Sequence, residues 1–269
     1  MKKIAICIAT TWSRAKDIKL DQFPKHNLFE YVISCQGEFD ECLYQQVCRH
    51  LNHIFEGNVS LLENRAVGLS NNRNLGLDHI LKLEHVDFIY ICDDDITLYP
   101  ERLLELANLM FLEQADIGCG KIVDEGQNDF KLSYSSVQEE LNYFTSARIS
   151  SVEMMLSFGI IEQGVRFDNN FGLGTSKPSG EEYIFVTDAL KKGFSVFYFP
   201  IKICLHPTVT SGSDFYSSPQ KIRAKGAMFE RIFGASLGRF FSILFSIKKY
   251  PYYKGKVGFL LFLKTIIST

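Results

Sequence analysis

The segment Phe88-Ile89-Tyr90-Ile91-Cys92-Asp93-Asp94-Asp95-Ile96 joins an apolar run to three consecutive carboxylates. Apolar, β-branched and aromatic residues without polar alternation predict a strand buried on both faces, as in a parallel sheet. Ligands of open α/β sheets bind beyond the carboxyl ends of such strands, which is where these aspartates fall. Adjacent carboxylates repel one another unless a positive charge lies among them. The segment therefore predicts a divalent-cation site with an anionic substrate such as a nucleotide diphosphate, and a solvated acidic loop is the alternative.

The first 218 residues predict strands that alternate with helices. The predicted strands are 3–9, 30–34, 59–63, 87–92, 117–123 and 194–204, and the predicted helices are 70–83, one that begins at Pro100, and 181–192. Ser70 is the expected N-cap of the first of these helices, and Pro200 predicts an edge or a bulge in the last strand. Because this alternation builds parallel sheets, we expect a doubly wound, mostly parallel α/β fold.

The charges divide the chain into two parts. The 269 residues are 46% hydrophobic and 22% charged, which is typical of a globular protein. Residues 219–269 contain ten Lys or Arg and one acid, for a charge of +9, which leaves −11 on residues 1–218. We expect a folded acidic body over 1–218 and a basic, aromatic helical appendage over 219–269.

The cysteines indicate a reducing compartment. Seven cysteines are scattered along the chain, and no two have the two-residue spacing of a zinc or redox motif. Cys7 and Cys92 lie in strand-like runs, and the apolar run after Met1-Lys2-Lys3 is interpreted as a strand and not as a secretory signal. These features predict reduced thiols in the cytoplasm.

Polar residues follow several of the predicted strands. Because the carboxyl ends of parallel strands meet at one edge of a sheet, we expect these residues to surround one site together with the aspartates. Taken singly, each has a simpler explanation: surface ion pairs for the arginines, a favourable helix dipole for the glutamates and a loop position for the histidine. The residues in question are Thr10, Thr11, Arg14, Arg73, Glu181, Glu182 and His206.

The order of these segments resembles the family 2 inverting glycosyltransferases of the glycosyltransferase A fold, of the bacterial surface-polysaccharide type. Gly68-Leu69-Ser70-Asn71-Asn72-Arg73-Asn74-Leu75-Gly76 is similar to the family's Gly-x-Ser-x-x-Arg-Asn-x-Gly segment, and Asp93 with Asp95 to its Asp-x-Asp motif. Gly172-Leu173-Gly174 followed by Gly180-Glu181-Glu182 is similar to its acidic-pair element. The resemblance extends over residues 3–212 and implies a Rossmann-like nucleotide-sugar half over 1–123 and an acceptor half over 124–218.

The resemblance also implies roles for individual residues. Mn²⁺ or Mg²⁺ is expected on Asp95, Asp93 and His206, where it would bridge the two phosphates of the donor. Glu182 is expected to be the catalytic base, with Glu181 as the other candidate. Of the three aspartates, we expect Asp94 to point the other way and to tolerate change best. The residues expected to bind the donor are Thr10, Thr11, Arg14, Gln36, Ser70, Arg73, Asn74, Asp93 and Asp94.

The chain departs from the family pattern in two places. Members usually end their second strand with an Asp-Asp-Gly-Ser type of turn, where this chain has Ser34-Cys35-Gln36-Gly37-Glu38. Gln36 could hydrogen-bond a base edge, so that a UDP-linked donor is expected while the base stays open. The acidic pair is Glu-Glu where Glu-Asp is commoner.

The basic tail predicts contact with a membrane surface. Its apolar blocks, 240–245 and 257–263, are too short to span a bilayer, and lysines and tyrosines flank them. This composition is typical of a segment that lies in the interface of an anionic membrane, on its cytoplasmic face. A helical cap packed on the catalytic domain is the alternative. Nucleic acid is not expected as a partner, because the aromatics come in blocks.

These expectations define one leading function and two alternatives. The leading one is sugar transfer from a nucleotide-diphosphate sugar to a saccharide or lipid-linked saccharide, in a protein that is compatible with a homo-oligomer. The first alternative is a sugar-phosphate nucleotidyltransferase, which usually has a glycine-rich loop after its first strand, whereas residues 9–14 contain no glycine. The second is a non-catalytic module that binds a nucleotide or a sugar.

Overall fold

The computed structural model describes residues 2–207 and 214–268. The last residues of the segment that resembles the family, 208–212, therefore lie outside the described residues. The strands of the described part are β1 (Ile4–Thr11), β2 (Phe29–Gln36), β3 (Val59–Asn64), β4 (Phe88–Asp93), β5 (Thr97–Leu98), β6 (Ile117–Val123), β7 (Glu139–Glu140), β8 (Met154–Ser157) and β9 (Val196–Leu205). Its helices are α1 (Trp12–Ala15), α2 (Glu41–Phe55), α3 (Leu69–Ile80), α4 (Pro100–Glu113), α5 (Phe158–Glu162), α6 (Glu181–Lys191), α7 (Pro219–Phe233), α8 (Ala235–Tyr253) and α9 (Phe259–Ile267).

One mixed sheet organises the fold. Its strand order is β3-β2-β1-β4-β8-β6-β9-β5, and β7 also pairs with β9. β3, β2, β1 and β4 run parallel to one another, as do β6 and β9. β8 runs antiparallel between β4 and β6. The predicted mostly parallel α/β fold is confirmed, while the central antiparallel strand was not predicted because its four residues have no recognisable period.

Alternating residues of the strands build a core on each face of the sheet. In β1, Ile4, Ile6 and Ile8 belong to the core that α2 and α4 cover. Ala5 and Cys7 belong to the opposite core, which contains residues of α3 and α6. A strand with apolar side chains on both faces must be covered on both, which explains why β1 and β4 read as continuous apolar runs.

Proline and serine positions test the local predictions. Pro100 is the first residue of α4, as expected, and Pro200 lies where the pairing of β6 with β9 changes register. Ser70 is not an N-cap, because α3 begins at Leu69 after Gly68, whose φ of +132° is a conformation that favours glycine. The hydroxyl of Ser70 lies inside the first turn and bonds outside the helix.

The basic tail is helical and packs on the body of the protein. Met228 and Ile232 of α7 lie in one cluster with Tyr183 and Ile184 of α6. The second tail cluster joins α7, α8 and α9 through Ile222, Tyr253, Phe262 and Ile266. Among the described residues, no helix combines the length and the apolar character needed to cross a bilayer. The tail is therefore in part a cap on the body, the alternative that the sequence left open.

Candidate active site

A first cavity, which we name the rim cavity, lies at the carboxyl ends of β1 and β4. Ala9 pairs in register with Asp93, so the residues that end β1 lie beside the aspartates that end β4. The rim cavity has a volume of about 440 Å³. Its wall contains eight of the residues expected from the sequence, which are Thr10, Thr11, Arg14, Gln36, Asp93, Asp94, Asp95 and His206. Parallel pairing of distant segments is what brings them together.

Asp94 is the buried member of the three adjacent aspartates. Its carboxylate accepts a hydrogen bond from the Thr10 hydroxyl and forms an ion pair with Arg14. Burial raises the pKa of Asp94 to about 6, although Thr10 and Arg14 both favour its charged form. The expectation that Asp94 points the other way is wrong, because its carboxylate and both of its partners belong to the wall of the rim cavity. Its tolerance to substitution is a separate prediction, and these buried contacts favour the opposite outcome.

Asp95 faces Arg14 and His206. One carboxylate oxygen, Oδ2, lies 3.0 Å from Arg14 Nη2, while Oδ1 lies 3.7 Å from His206 Nε2. Nδ1 of His206 is 2.7 Å from the carbonyl oxygen of Pro207, to which it donates a hydrogen bond. Because the proton of a neutral imidazole is then on Nδ1, the lone pair of Nε2 points to the same space as Asp95 Oδ1.

Gln36 and Asn72 hold the backbone segments that surround the rim cavity. Gln36 Oε1 accepts a hydrogen bond of 2.8 Å from the backbone N–H of Gly68 and so holds the turn before α3. The side chain of Asn72 donates to the carbonyls of Thr10 and Ser34, which ties α3 to the ends of β1 and β2. The role of Asn72 was missed in the sequence, where only its place inside the Gly68–Gly76 segment could have indicated it.

Ser70 and Asn74 do not line the rim cavity. The Ser70 hydroxyl donates to the carbonyl of Phe171 at 2.6 Å, and Asn74 exchanges hydrogen bonds with both backbone groups of Phe167. Their predicted contact with the donor is not supported, because both side chains are buried and already bonded to the loop before α6. They position that loop against α3 instead.

Arg73 connects the aspartates to the acidic pair. Its side chain is 1% exposed, and its Nη2 lies 3.0 Å from Asp93 Oδ1 and 2.6 Å from Ser151 Oγ. Its Nη1 lies 3.6 Å from Glu181 Oε1. A buried guanidinium needs carboxylate partners, and two of them come from opposite sides of the site. Arg73 therefore fixes the position of Asp93 relative to α6.

A second cavity, which we name the outer cavity, lies beyond Arg73 and is enclosed by α6, α7 and α8. It has a volume of about 720 Å³. Asp93, Leu69 and Leu173 line both cavities, so the two spaces meet at these residues. Glu181 and Glu182 both belong to the wall of the outer cavity. The acidic pair thus lies next to the junction with the rim cavity.

The two glutamates differ in environment. Glu181 is 4% exposed, and burial together with the charge of Glu182 raises its pKa, while Arg73 opposes the shift. Glu182 is half-buried and its side chain has no bonded partner among the described residues. Glu181 is thus held against Arg73, whereas Glu182 is the carboxylate that a molecule in the outer cavity can reach.

Sequence reasoning missed the contribution of the tail to this site. Lys225 of α7 and Lys248 and Lys249 of α8 line the outer cavity. The basic charge of the tail is evident in the sequence, where it predicts contact with a membrane and gives no indication of a place in the site. Only the packing of α7 on α6 places these ammonium groups beside the acidic pair.

Comparison with known proteins identifies the family. The sequence profile described as Glycosyl transferase family 2 matches residues 9–161, which is more than half of the chain. The chain belongs to glycosyl transferase family 2. It is therefore an enzyme, a glycosyltransferase, as the resemblance in the sequence implied.

Solved structures with the same fold agree with this assignment. The chain is similar to S. aureus TarS residues 1–349 in complex with UDP, with 15% identity, a TM-score of 0.63, and 95% of this chain and 75% of that chain covered. The complex of the same fragment with UDP-GlcNAc gives 16% identity, a TM-score of 0.62 and coverage of 95% and 76%. The chain is also similar to a mannosyltransferase, PcManGT from Pyrobaculum calidifontis in complex with GDP-Man and Mn²⁺. The identity is 10%, the TM-score is 0.58, and the match covers 95% of this chain and 76% of that chain. At these identities the likeness concerns the fold.

A partial similarity to a different protein is also present. ATP synthase subunit s of mitochondria from Rattus norvegicus is 28% identical over 123 residues, which is 43% of this chain. The chain spans 58% of the length of that relative. A match of this extent and identity does not transfer the activity of that protein to this chain.

Proposed function

We propose that this enzyme transfers a sugar from a nucleoside-diphosphate sugar to a hydroxyl group, with inversion at the anomeric carbon and with Glu182 as the catalytic base. The observation that carries the proposal is the junction of the two cavities. Asp93, which is paired with Arg73, lines both cavities, and the acidic pair lines the outer one beside it. The rim cavity would hold the donor and the outer cavity the acceptor. TarS was crystallised with UDP and with UDP-GlcNAc, so uridine is the first base to test.

The proposed reaction is a single displacement. An acceptor hydroxyl in the outer cavity loses its proton to Glu182 while its oxygen forms a bond to the anomeric carbon. The bond from that carbon to the diphosphate breaks on the opposite face, which inverts the carbon. Arg14, whose side chain is 55% exposed at the rim cavity, would stabilise charge on the leaving diphosphate. Glu181 and Arg73 would hold the two halves of the site in place.

The residues at the rim cavity fit a divalent cation. Within the described residues, no three His, Cys, Asp or Glu side chains form a complete metal cage. Asp95 Oδ1 is nevertheless buried without a hydrogen-bond partner there, and the free lone pair of His206 Nε2 faces it. Mg²⁺ commonly binds one or two protein carboxylates and completes its shell with substrate phosphates and water. Asp95 and His206 would hold the ion, which when bound neutralises diphosphate charge, while Asp93 is engaged by Arg73.

The test of this function is the substitution Glu182→Gln. We first expect a nucleoside diphosphate, with Mn²⁺ present, to raise the thermal unfolding temperature of the wild-type protein. Glu182→Gln should keep this stabilisation and lose about 10²–10⁴-fold of the release of nucleoside diphosphate from the matching nucleotide sugar. Glu113→Gln, at the exposed end of α4, is the control and should behave as wild type.

Two outcomes would contradict the proposal. If no nucleoside diphosphate stabilises the wild-type protein with metal present, the rim cavity does not bind the proposed donor. If nucleotide binds but Glu182→Gln turns over normally, Glu182 is not the base, and Glu181 becomes the candidate to test.

We also propose that the tail attaches the enzyme to an anionic membrane surface, where it meets a lipid-linked saccharide. One face of α8 keeps large apolar side chains exposed to solvent, and Lys248 and Lys249 follow it in the same helix. Such a face beside basic residues is typical of helices that lie in a membrane interface. The exposed residues of this face, which we name the α8 stripe, are Leu237, Phe240, Ile243, Leu244 and Ile247.

The membrane proposal is tested with substitutions that leave the buried side of the tail intact. Phe240→Gln with Ile247→Gln should reduce binding to vesicles that contain phosphatidylglycerol, measured by cosedimentation, because about 0.8 kcal/mol is lost per CH₂ no longer buried. Phe111→Gln with Leu112→Gln removes exposed apolar residues from α4 and is the matched control. Equal binding of both double variants and the wild type would refute a membrane role for the α8 stripe.

A further inference from the structure

Three lysines of the tail converge on the outer cavity without an anionic partner. Lys225, Lys248 and Lys249 line this cavity, and in residues 2–207 and 214–268 none of their ammonium groups forms an ion pair or a hydrogen bond with a carboxylate. Two other lysines of α6 and α7 have a carboxylate partner: Lys221 lies 2.6 Å from Asp214, and Lys191 lies 3.7 Å from Asp188. Glu181 pairs with Arg73, so the outer cavity contains these three ammonium groups beside a single unpaired glutamate, Glu182, among the described residues.

This charge cluster is unfavourable in the protein alone. Burial lowers the pKa of Lys225, and the charge of Lys249 lowers it further, while Glu182 and Glu181 oppose the shift. The ammonium group of Lys249 lies 4.9 Å from the centroid of the Tyr252 ring. Like charges held close together are relieved when an anion binds among them.

We propose that Lys225, Lys248 and Lys249 form a phosphate-binding subsite, and that the acceptor of this enzyme carries a phosphate or diphosphate group. The inference rests on the proposed function, because it takes the outer cavity as the acceptor site. The lysines share that cavity with Glu182, so one molecule bound there can place a hydroxyl at the base and its phosphate at the ammonium groups. A cavity of about 720 Å³ has room for a sugar with such a group.

The phosphate can belong to a lipid or to a soluble molecule, and the chemistry of recognition is the same for both. Lys248 lies one helical turn after Leu244 of the α8 stripe, so the subsite opens beside the proposed membrane face. A lipid-linked phosphate would enter from that side. A soluble phosphate-bearing saccharide would bind the lysines without the α8 stripe.

The experiment compares two double variants. One combines Lys225→Gln and Lys249→Gln, and the control combines Arg223→Gln and Lys264→Gln. The control removes the same net charge from α7 and α9 outside the outer cavity. Each full-length protein is titrated calorimetrically with inorganic pyrophosphate in the presence of UDP. Each is also bound to phosphatidylcholine vesicles with and without decaprenyl phosphate. Lys225→Arg with Lys249→Arg, which keeps the charge, should restore binding.

We expect the double glutamine variant to bind pyrophosphate at least about ten-fold more weakly than the control. A loss confined to the decaprenyl phosphate vesicles also supports the subsite and identifies a lipid-held phosphate as its ligand. Unchanged binding in both arms would overturn the proposal. If the double variant does not fold, the single variant Lys248→Gln, at an exposed position, is judged by the same criteria.

Failure of the subsite is separable from failure of the proposed function. Affinity for UDP should be unaltered by the lysine substitutions, because the rim cavity contains none of these lysines. If UDP binds neither the wild-type protein nor any variant, the assignment of the rim cavity to the donor is wrong. The comparison of pyrophosphate binding still decides whether the lysines form an anion site.

Discussion

Asp93, Asp94 and Asp95 are adjacent in the chain, yet each carboxylate has a different surrounding. Asp93 is held by buried Arg73, Asp94 is buried against Thr10 and Arg14, and Asp95 leaves one oxygen unpaired near His206. A bend of the backbone after β4 is enough to send neighbouring side chains in different directions. Asp93 and Asp94 therefore stabilise the site through contacts within the protein, whereas Asp95 is the one that has an oxygen available for an ion.

This division predicts opposite effects for two substitutions. Asp94→Ala leaves the buried Thr10 hydroxyl without its carboxylate partner and removes one of the two carboxylates that pair with Arg14. We therefore expect it to lower the free energy of unfolding by about 1–3 kcal/mol. Asp95→Asn should leave stability within about 0.5 kcal/mol of wild type, because its side chain is 40% exposed.

The two variants are compared by urea unfolding and by thermal shift with nucleoside diphosphate, with and without Mn²⁺. Asp95→Asn should lose the part of the nucleotide stabilisation that requires the metal. If Asp94→Ala is as stable as wild type, or if Asp95→Asn keeps the full effect of Mn²⁺, this division of roles is wrong.

At the scale of elements, the site depends on how closely α3 lies against the sheet. A Cβ atom added at Gly76 would be 2.5 Å from Cys7 Sγ, a distance that real side chains do not tolerate. Gly76 follows Arg73 by one turn, so the glycine that allows close packing also keeps the guanidinium near Asp93. The segment Gly68–Gly76 thus has an architectural role as well as a chemical one.

Gly76→Ala should therefore destabilise the protein although alanine is the better helix former. We expect a loss of about 1–3 kcal/mol from overpacking, reduced by about 1 kcal/mol of helix propensity. Cys7→Gly should restore part of the loss in the double variant, because it removes the sulfur that the new methyl group meets. Urea unfolding of the two single variants and the double variant measures this coupling, and independent, additive effects would contradict the clash.

At the scale of the whole molecule, the tail is both a part of the core and a wall of the site. Met228 and Ile232 cover Ile184 of α6, while Lys225 of the same helix α7 faces the outer cavity. A deletion of residues 219–269 would uncover this cluster, so it cannot separate a membrane role from a structural one. The basic tail is therefore packed against the acidic body.

Met228→Ala tests the docking of α7 directly. Met228 is 6% exposed, and we expect the substitution to lower the free energy of unfolding by about 2–5 kcal/mol. Leu244→Ala, on the exposed α8 stripe, is the control and should change it by less than about 0.5 kcal/mol. Equal effects in urea unfolding would mean that the tail does not fold as a unit with the body.

The order of elements and most of the rim cavity could be predicted from the sequence. Apolar runs with polar ends predict buried parallel strands, and parallel pairing necessarily brings their carboxyl ends to one edge. This reasoning located Thr10, Arg14, Asp95 and His206 correctly at the rim. It could not distinguish Ser70 and Asn74, which are polar and close in sequence to Arg73 but buried in contact with the loop before α6.

Local sequence determined where strands and helices form, because periodicity and capping act over a few residues. Which side chains of the Asp93–Asp95 run are free, and which of the two glutamates is accessible, was decided only by the tertiary structure. The same is true of the lysines in the outer cavity, since a charged residue in an amphipathic helix can face lipid, solvent or a ligand with the same sequence. Contacts between different segments of the chain made those choices, because burial and charge pairing depend on neighbours in space.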